Sequence, residues 1–321
     1  MDTLVLVIGS PNTDIVTTCG RKTIIGPGGK ARNIAHMTAN LLSKGQVALV
    51  GRTSKDSLGL WKIPLDALKS SGVNIDFLTI DETSKELPGI ALIATDTTGE
   101  SRVTFLPGAT KKFNRRDIDV ADMLFKNVTG NKGYVVFTLE CPFDTLRYAI
   151  QKANSLNLSI IIDCGGFCTN VRPNVVRSIL GKGVFFIKPN AYEAQCITGV
   201  KIRNFASAQK AANILRSMGA QNILITAGKK GAYLFTNKQQ THIRPPKILG
   251  NKDIFDSTGC GDQALAVICA SLVKGVSIEE AARPAILAAT LQFYKRGVRP
   301  ITRQEFMRIE SAQQKTALSF A

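Results

Sequence analysis

A glycine-rich run, DSTGCGD at residues 256–262, combines residue types that suit phosphoryl transfer. The apolar residues 264–273 that follow are predicted to be a helix, so the run lies where free backbone N–H groups and the helix dipole favour an anion. Gly259 and Gly261 let those amides approach a phosphate closely. Asp262 is then placed to take the proton of an attacking hydroxyl group. In the alternative interpretation, Asp262 only caps the helix.

A second glycine cluster, GPGGKARN at residues 26–33, also precedes a predicted helix. It is not a dinucleotide fingerprint, because that motif directly follows the opening strand, which here leads into SPNTD at residues 10–14. The chain has no Walker A sequence either. Lys30 and Asn33 are polar residues at the helix entrance and suit the hydroxyl groups of a small ligand. The alternative is a simple loop that starts a helix.

Two further motifs follow predicted strands. In KPNAYEA, residues 188–194, Asn190 and Glu193 have the spacing of a helix-capping pair, and their oxygens also suit Mg²⁺ and its waters beside a phosphate. The segment ITAGKKGAYLF, residues 225–235, has the pattern of a strand, a glycine-bounded turn and a second strand. That pattern is typical of a nucleotide-side loop or of a plain hairpin.

Composition restricts the class of protein. The 321 residues are 44% hydrophobic, with no apolar run long enough to span a bilayer and no basic start typical of a signal peptide. Seven scattered cysteines without a CxxC pair and only two histidines argue against a disulfide framework, a zinc site or a His-based metal centre. We therefore expect a cytoplasmic globular protein.

The net charge of +17 raises the question of nucleic-acid binding. The basic residues are dispersed, only 7% of residues are aromatic, and no RNP-like, zinc-finger or basic-helix pattern is present. We therefore expect a general cationic surface, which would attract an anionic small molecule, and neither a nucleic-acid nor a membrane partner.

Short apolar runs alternate with segments of helical spacing along most of the chain. The predicted buried strands are residues 4–8, 46–50, 134–139, 159–162, 184–187, 222–226 and 231–235. The predicted helices between them include residues 33–43, 60–70, 145–155 and 207–217. This alternation predicts βαβ units and a mostly parallel sheet with helices on both faces, an architecture that binds ligands at the carboxyl ends of its strands.

One region interrupts this alternation. Residues 89–105 contain two strand-like runs around the turn signal TTGE at 97–100, which predicts a β-hairpin. Together with residues 15–25, this hairpin is expected to form a small β flap over the main sheet. We predict a single domain over residues 1–321, since no repeat, low-complexity tract or long linker divides the chain.

The C-terminal part of the chain carries two helix signals. Ser277 and Glu280 have capping-box spacing, which predicts a helix start. Pro284 is predicted to separate two short helices, because proline disrupts a helix interior.

The order of these motifs resembles the ribokinase-like (PfkB) family of sugar and nucleoside kinases over nearly the whole chain. The resemblance is carried by VIGSPNTDIV, GGKARNIA, LECP, KPNAYEA, TAGKKGAYL and, most specifically, DSTGCGD. It implies a three-layer α/β/α sandwich with a mostly parallel central sheet and a small β lid, formed by segments at about 15–27 and 88–106. It also implies ATP as co-substrate, Mg²⁺, and a monovalent cation such as K⁺ near the anion hole.

The resemblance assigns catalytic and substrate-binding residues by motif. Asp262 matches the base, and Gly259, Cys260 and Gly261 match the anion hole. The positions that match substrate contacts are Asn12, Asp14, Gly28, Gly29, Lys30, Asn33, Glu140 and Asp256.

A further group matches the nucleotide and metal side of the family's site. Asn190 and Glu193 match the phosphate and Mg²⁺ motif, and the ion is expected to bind through water. Thr226, Gly228 and Gly231 match the nucleotide side, where backbone groups matter more than side chains.

The sequence departs from the ribokinase pattern in two places. Ala31 and Arg32 replace the Gly-Ala of the usual GGKGANQA, and the resulting ARNIA ending resembles members that act on nucleosides, pseudouridine kinases among them. Only 13 residues separate Asp14 from Gly28, fewer than in ribokinases. A lid shortened in this way argues against complete closure over the sugar and against a homodimer formed through the lid.

The predicted function is therefore ATP-dependent transfer of the γ-phosphate to a hydroxyl, expected to be a hydroxymethyl group, of a sugar. The first alternative is a nucleoside kinase of pseudouridine, adenosine or cytidine type, and a phosphosugar kinase ranks third. A different class of function is a non-catalytic ligand-binding regulator on the kinase fold. The intact Asp262, Gly259 and Gly261 argue against the regulator, because it has no chemical need for a base.

Overall fold

The computed structural model describes residues 3–18, 22–95, 101–130, 133–165, 173–181, 183–246, 256–295, 297–308 and 311. The chain forms two compact units, Met1–His36 with Lys44–Leu158, and Met37–Ser43 with Ser159–Ala321. The predicted turn at residues 97–100, and Cys19 and Cys168, lie outside the described residues. None of the five described cysteines forms a disulfide.

The first unit contains a parallel sheet of three strands. The elements of this unit, in chain order, are β1 Val5–Ile8, β2 Asn12–Thr18, β3 Lys22–Gly28, α1 Lys30–Leu41, β4 Val47–Val50, β5 Arg52–Ser54, α2 Lys62–Ser70, β6 Thr79–Asp81, β7 Gly89–Thr95, β8 Ser101–Leu106, α3 Arg115–Val120, α4 Asp122–Gly130, β9 Tyr134–Thr138 and α5 Phe143–Ser155. The end of α1, from Met37, belongs to the second unit. β1 pairs in parallel with β4 and β9, and its four apolar residues are fully buried, as expected for a strand covered on both faces.

The predicted flap is present in the first unit as a separate sheet with the strand order β3-β2-β7-β8. β2 runs antiparallel to β3 and parallel to β7, so Asn12 lies opposite Gly28 on one side and Gly89 on the other. β7 and β8 form the predicted antiparallel hairpin. The strands of this flap sheet expose several large apolar side chains, among them Val103 and Phe105.

The sequence did not predict the short strands β5 and β6, which pair in parallel. Charged side chains hold them in place. Arg52 donates to both carboxylate oxygens of Asp117 at 3.0 Å and to Asp81 Oδ2 at 3.0 Å, and Thr79 Oγ1 donates to Asp117 Oδ1 at 2.8 Å. Polar strands of this length lack the apolar alternation on which strand prediction rests.

The second unit contains a sheet with both parallel and antiparallel strands. The elements of this unit, in chain order, are β10 Ser159–Asp163, α6 Pro173–Leu180, β11 Val184–Lys188, α7 Ala191–Thr198, α8 Phe205–Ser217, β12 Ala220–Thr226, β13 Ala232–Phe235, β14 Gln240–Ile243, α9 Cys260–Val273 and α10 Ile278–Phe293. β10, β11 and β12 are parallel, and β13 and β14 continue the sheet in antiparallel fashion. The carboxyl ends of β10 and β11 therefore meet at one edge, with Asp163 opposite Lys188.

Helices α9 and α10 pack against each other in the second unit. The residues of α9 from Asp262 to Leu272 are buried on all sides of the helix, as in a helix at the centre of a fold. The predicted capping box of α10 is confirmed, because Ser277 Oγ accepts from the N–H of Glu280 and the Glu280 carboxylate accepts from the N–H of Ser277.

The prediction that Pro284 separates two helices is wrong, because α10 runs unbroken through it. A proline inside a helix removes one hydrogen bond and costs about 3 kcal/mol. Pro284 is buried, as are its neighbours Ala281, Ala282 and Ala285, and the packing of α10 on α9 offsets that cost.

Across the described part of the chain, none of the helices has the length and apolar character needed to cross a membrane.

Candidate active site

The predicted substrate-binding residues of the first unit lie together where β2 begins and β3 ends. Gly28 leaves no room for a side chain, because a methyl group there would overlap the carboxylate of Asp14. Gly29 has φ of 88°, and a Cβ at that position would lie 2.9 Å from the backbone nitrogen of Asn12. Gly28 is therefore required by the close approach of the Asp14 side chain, and Gly29 by its positive φ and the nearby backbone of Asn12.

The side chain of Asn12 is buried at the start of β2 and packs against Gly89, where any Cβ would overlap its Oδ1. Within the described ranges, Oδ1 of Asn12 has no hydrogen-bond partner. A buried amide oxygen without a donor is costly, and such an atom calls for an explanation such as a missing hydrogen-bond donor.

Glu140 and Lys30 are brought together although they are far apart in the chain. The backbone N–H of Lys30, the first residue of α1, donates to Glu140 Oε2 at 3.1 Å. A carboxylate at this end of the helix interacts favourably with the helix dipole. Asn33 lies one turn further along α1 and is buried, and its backbone N–H donates to Gly29 O at 2.9 Å.

Arg32, one of the two departures from the ribokinase pattern, is almost fully buried. Its guanidinium donates to the carbonyl oxygen of Pro27 and, at 3.4 Å, to that of Gly28. Burial, followed by the positive charge of Arg32, lowers the pKa of His36 from 6.5 to about 4. His36 is therefore neutral at physiological pH. The hydrogen bonds that Arg32 donates to Pro27 and Gly28 connect the glycine segment to α1.

In the second unit, the run DSTGCGD forms the N-terminus of α9. Gly259 is the N-cap with φ of 76°, a conformation that favours glycine, and Asp262 lies in the first turn with only 4% of its surface exposed. Among the residues that the structure describes, the N–H groups of Gly259 and Gly261 have no hydrogen-bond acceptor. The N-terminus of α9 thus offers backbone donors of the kind that bind an anion.

Cys260 lies between these two glycines, but its backbone N–H already has an acceptor within the protein. Its N–H donates to Ser257 O at 3.2 Å, and its thiol lies 3.7 Å from Asp256 O. Burial, followed by the negative charges of Asp256 and Asp262, raises the pKa of the Cys260 thiol to about 12. The thiol is therefore protonated and a poor nucleophile at neutral pH.

Asp256 stabilises the loop that enters α9. Its Oδ1 accepts from the N–H of Thr258 at 2.9 Å, and its Oδ2 accepts from the N–H of Gly297 at 2.7 Å. Both carboxylate oxygens therefore bind backbone amides. Its predicted contact with substrate stays a prediction, and any such contact would use the remaining lone pairs of these oxygens.

Asn190 and Glu193 form a capping box at the start of α7. Asn190 Oδ1 accepts from the N–H of Glu193 at 2.8 Å, and Glu193 Oε2 accepts from the N–H of Asn190 at 2.8 Å. A parallel β-bridge places Thr226, at the end of β12, beside Asn190. The structure thus brings together three residues predicted for the nucleotide and Mg²⁺ side.

Gly228 and Gly231 bound the turn between β12 and β13, a hairpin whose short 3₁₀ helix spans Gly228–Lys230. Both have positive φ, 54° and 85°, and a Cβ on Gly231 would overlap the carbonyl oxygen of Ile243. The turn geometry alone therefore requires glycine here, and the role of this turn in nucleotide binding stays a prediction.

The sequence analysis did not select two charged residues that are buried at the carboxyl ends of neighbouring strands. Asp163 ends β10 and Lys188 ends β11, and Lys188 Nζ lies 2.8 Å from Asp163 Oδ2. A lysine and an aspartate that each follow an apolar run are the signal that could have identified them. In the described portion of the protein, no three His, Cys, Asp or Glu residues form a cluster suited to a metal ion.

Comparisons with known proteins agree with the resemblance. A model of the pfkB family of carbohydrate kinases matches residues 2–304. A ribokinase of Arabidopsis thaliana is 26% identical over 307 residues, which cover 92% of this chain and 77% of that protein.

Solved structures share the fold. The structure of Arabidopsis thaliana ribokinase complexed with ribose and ATP has a TM-score of 0.79 at 24% identity and covers 96% of this chain and 99% of that one. The adenosine kinase of Sinorhizobium meliloti has a TM-score of 0.78 at 19% identity and covers 98% and 100%. The prediction of a ribokinase-like α/β fold with a mostly parallel sheet is confirmed.

The chain belongs to the pfkB family of carbohydrate kinases, because the family model covers nearly all of it. It is accordingly a carbohydrate kinase of the ribokinase type, a phosphotransferase with an alcohol group as acceptor.

Proposed function

We propose that this protein transfers the γ-phosphate of ATP to a hydroxymethyl group of a sugar. The observation that carries the proposal is the N-terminus of α9, where the buried Asp262 follows directly on two glycine N–H groups that have no acceptor among the described residues. The relative whose structure contains ribose and ATP supports a sugar as acceptor and ATP as donor.

Asp262 is proposed as the base. It accepts the proton of the substrate hydroxyl, the hydroxyl oxygen forms a bond to the γ-phosphorus, and the bond from that phosphorus to the bridging oxygen breaks to release ADP. The amides of Gly259 and Gly261 would donate to the oxygens of the transferring group, in the manner of an oxyanion hole. General-base catalysis of this kind contributes on the order of 10² to 10⁴ in rate.

The polar group at the start of β2 is proposed to bind the sugar hydroxyls. Asn12 has a buried amide oxygen that no donor among the described residues contacts, and Asp14 lies against Gly28. Glu140, whose Oε2 accepts from the N–H of Lys30, is proposed to accept a hydrogen bond from a substrate hydroxyl as well. A sugar, which presents several hydroxyl donors, suits these acceptors better than an apolar ligand does.

Asn190 and Glu193 are proposed as the residues that hold Mg²⁺ through its waters. Their oxygens are hard ligands of the kind that suits Mg²⁺ and its waters, and the capping box holds both side chains at the start of α7. When bound, the ion would neutralise charge on the ATP phosphates. Thr226, Gly228 and Gly231 are proposed for the nucleotide side, and a monovalent cation stays an expectation of the family resemblance.

A nucleoside is the second candidate substrate. The observation that favours it is Arg32, which gives this chain the ARNIA sequence and is buried on the carbonyl groups of Pro27 and Gly28. An adenosine kinase shares the fold over the whole chain, which fits this candidate without ranking it above a sugar.

The experiment that tests the proposal measures ADP release from Mg-ATP with the wild-type protein. The panel contains ribose, fructose, 2-keto-3-deoxygluconate, fructose 6-phosphate, adenosine, cytidine and pseudouridine. Turnover on the unphosphorylated sugars supports the proposal, and turnover confined to the nucleosides replaces it with the second candidate. Turnover confined to fructose 6-phosphate indicates a phosphosugar kinase. ATP binding without turnover on any compound favours a non-catalytic regulator.

A further inference from the structure

Lys188 carries a buried charge that the proposed mechanism has not used. It is the last residue of β11, its side chain is 3% exposed, and its ammonium forms an ion pair of 2.8 Å with Asp163, whose side chain is fully buried. A buried ion pair is weak evidence for stability, because desolvation of the two charges offsets much of their attraction. Stability alone therefore does not account for the pair.

The ammonium of Lys188 lies against the first turn of α9. A Cβ built on Gly261 would be 3.2 Å from Lys188 Nζ, so this glycine is the point at which the lysine reaches the helix. The N–H of Gly261 has no acceptor among the described residues. The charged group and the backbone donor are thus neighbours.

A cation at this position is electrostatically unfavourable unless negative charge compensates it. The N-terminus of a helix carries partial positive charge, and a cation beside it is repelled. Asp163, the last residue of β10, compensates the charge of Lys188, and its Oδ1 also accepts from the N–H of Gly165 at 2.9 Å. A phosphate at the N-terminus of α9 would be attracted by the helix and by the ammonium together.

We propose that Lys188 is a further catalytic residue, which donates from its ammonium group to the terminal phosphate of the nucleoside triphosphate during transfer. This inference rests on the proposed function, since it needs a phosphate at the anion hole. Lysine binds phosphate as a point charge with three donors, so it can bind Asp163 and a phosphate oxygen at once.

Asp163 is a positioning residue in this proposal. It holds the ammonium of Lys188 beside Gly261 and does not itself contact the phosphate. Gly261 has a second role as well, because any larger residue there would approach the space that the ammonium occupies.

The test compares Lys188→Met, Lys188→Arg and the double variant Asp163→Asn with Lys188→Met. The single Met variant leaves the buried Asp163 without its ion-pair partner and is expected to be less stable, whereas the double variant removes both charges and tests the chemistry in a folded protein. Lys210→Met is the matched control, because Lys210 is exposed on α8 of the same unit. Thermal melting confirms that each variant is folded.

The readouts are kcat and the dissociation constants of Mg-AMP-PNP and Mg-ADP. We expect kcat to fall on the order of 10² to 10³ in the double variant, as when one donor to a developing negative charge is removed. Its affinity for AMP-PNP should fall about 10-fold or more, and its affinity for ADP should change much less, because only the triphosphate reaches Lys188. Lys188→Arg should recover part of the loss, and Lys210→Met should match the wild type.

Two contrary results are distinguishable. If the wild type turns over a substrate and the folded double variant retains its kcat and its preference for AMP-PNP over ADP, the role of Lys188 is refuted and the kinase function stands. If the wild type binds neither nucleotide, both the proposed function and the role of Lys188 are refuted.

Discussion

The backbone N–H of Lys30 donates to the carboxylate of Glu140 at 3.1 Å, which joins the first residue of α1 to the segment that follows β9. Two residues separated by 110 positions thus meet at the helix N-terminus. Glu140 therefore stabilises the fold as well as being a proposed substrate contact, and these two roles can be separated by mutation.

Replacing Glu140 tests that separation. Glu140→Gln keeps an oxygen that can accept from Lys30, so the melting temperature should stay close to that of the wild type, and the loss of charge should raise KM for the sugar. Glu140→Ala removes the acceptor and should also reduce the free energy of unfolding by about 1 kcal/mol, as for the loss of a helix cap. Urea denaturation and steady-state kinetics measure the two effects. An unchanged KM in both variants would contradict a substrate contact.

Gly28 is predicted to be essential because of its contact with Asp14. In Gly28→Ala the new methyl group would overlap Asp14 Oδ1, so the aspartate must move, and kcat/KM should fall at least about 10-fold, as for misplaced binding groups. Gly26→Ala is the matched control on the same strand, since its Cβ would meet no atom within 4 Å. Equal activity of the two variants would show that the position of Asp14 is unimportant.

His36 makes stability depend on pH. Its pKa is 6.5 when unfolded and about 4 when folded, because of burial and the charge of Arg32, so the unfolded chain binds the extra proton as pH falls below 6.5. This residue should therefore cost about 2 kcal/mol of stability between pH 7 and pH 5, with little further loss below pH 4.

Urea denaturation at pH 7 and pH 5 measures that contribution as a difference between variants, because other groups also titrate in this range. His36→Asn should show a smaller loss of stability than the wild type on going to pH 5. His242→Asn is the control, since His242 is exposed on β14, and it should lose as much as the wild type. A loss of the same size in all three proteins would contradict the assignment to His36.

Cys260 and Gly261 are adjacent but should respond differently to the same substitution. The Cys260 thiol has its pKa raised to about 12 by burial and by Asp256 and Asp262, so it does not react as a thiolate, and Cys260→Ala should retain kcat within about 3-fold. Gly261→Ala places a methyl group 3.2 Å from Lys188 Nζ, so the proposed phosphate donor must shift, and kcat should fall on the order of 10². Steady-state kinetics measure kcat for both variants. A larger fall in kcat for Cys260→Ala than for Gly261→Ala would contradict the prediction.

The strands that could be predicted from the sequence are those with continuous apolar runs, such as β1 and β4. Strands β5, β6 and β14 were not predicted because they are short and largely polar. The pairing of β5 with β6 also depends on the ion pairs of Arg52, which form only on folding. The continuous helix through Pro284 was not predicted, because packing outweighs the local tendency of proline to end a helix.

The candidate site was predictable where a motif is local in the chain. Gly259 to Asp262 and the capping box of Asn190 with Glu193 lie within single short runs, and their geometry follows from helix starts. Asp163 and Lys188 each end an apolar run that the sequence shows, but the ion pair between them was not predictable, because it depends on the register of two strands that are separate in the sequence.

The most direct test of the central claim is the kcat of Asp262→Asn, on whichever substrate the wild type phosphorylates best. Asparagine keeps the size of the side chain but cannot take a proton, so kcat should fall by about 10² to 10⁴ while the dissociation constant of Mg-AMP-PNP stays within about 3-fold of the wild type. A folded Asp262→Asn protein that retained the wild-type kcat would contradict the assignment of Asp262 as the base.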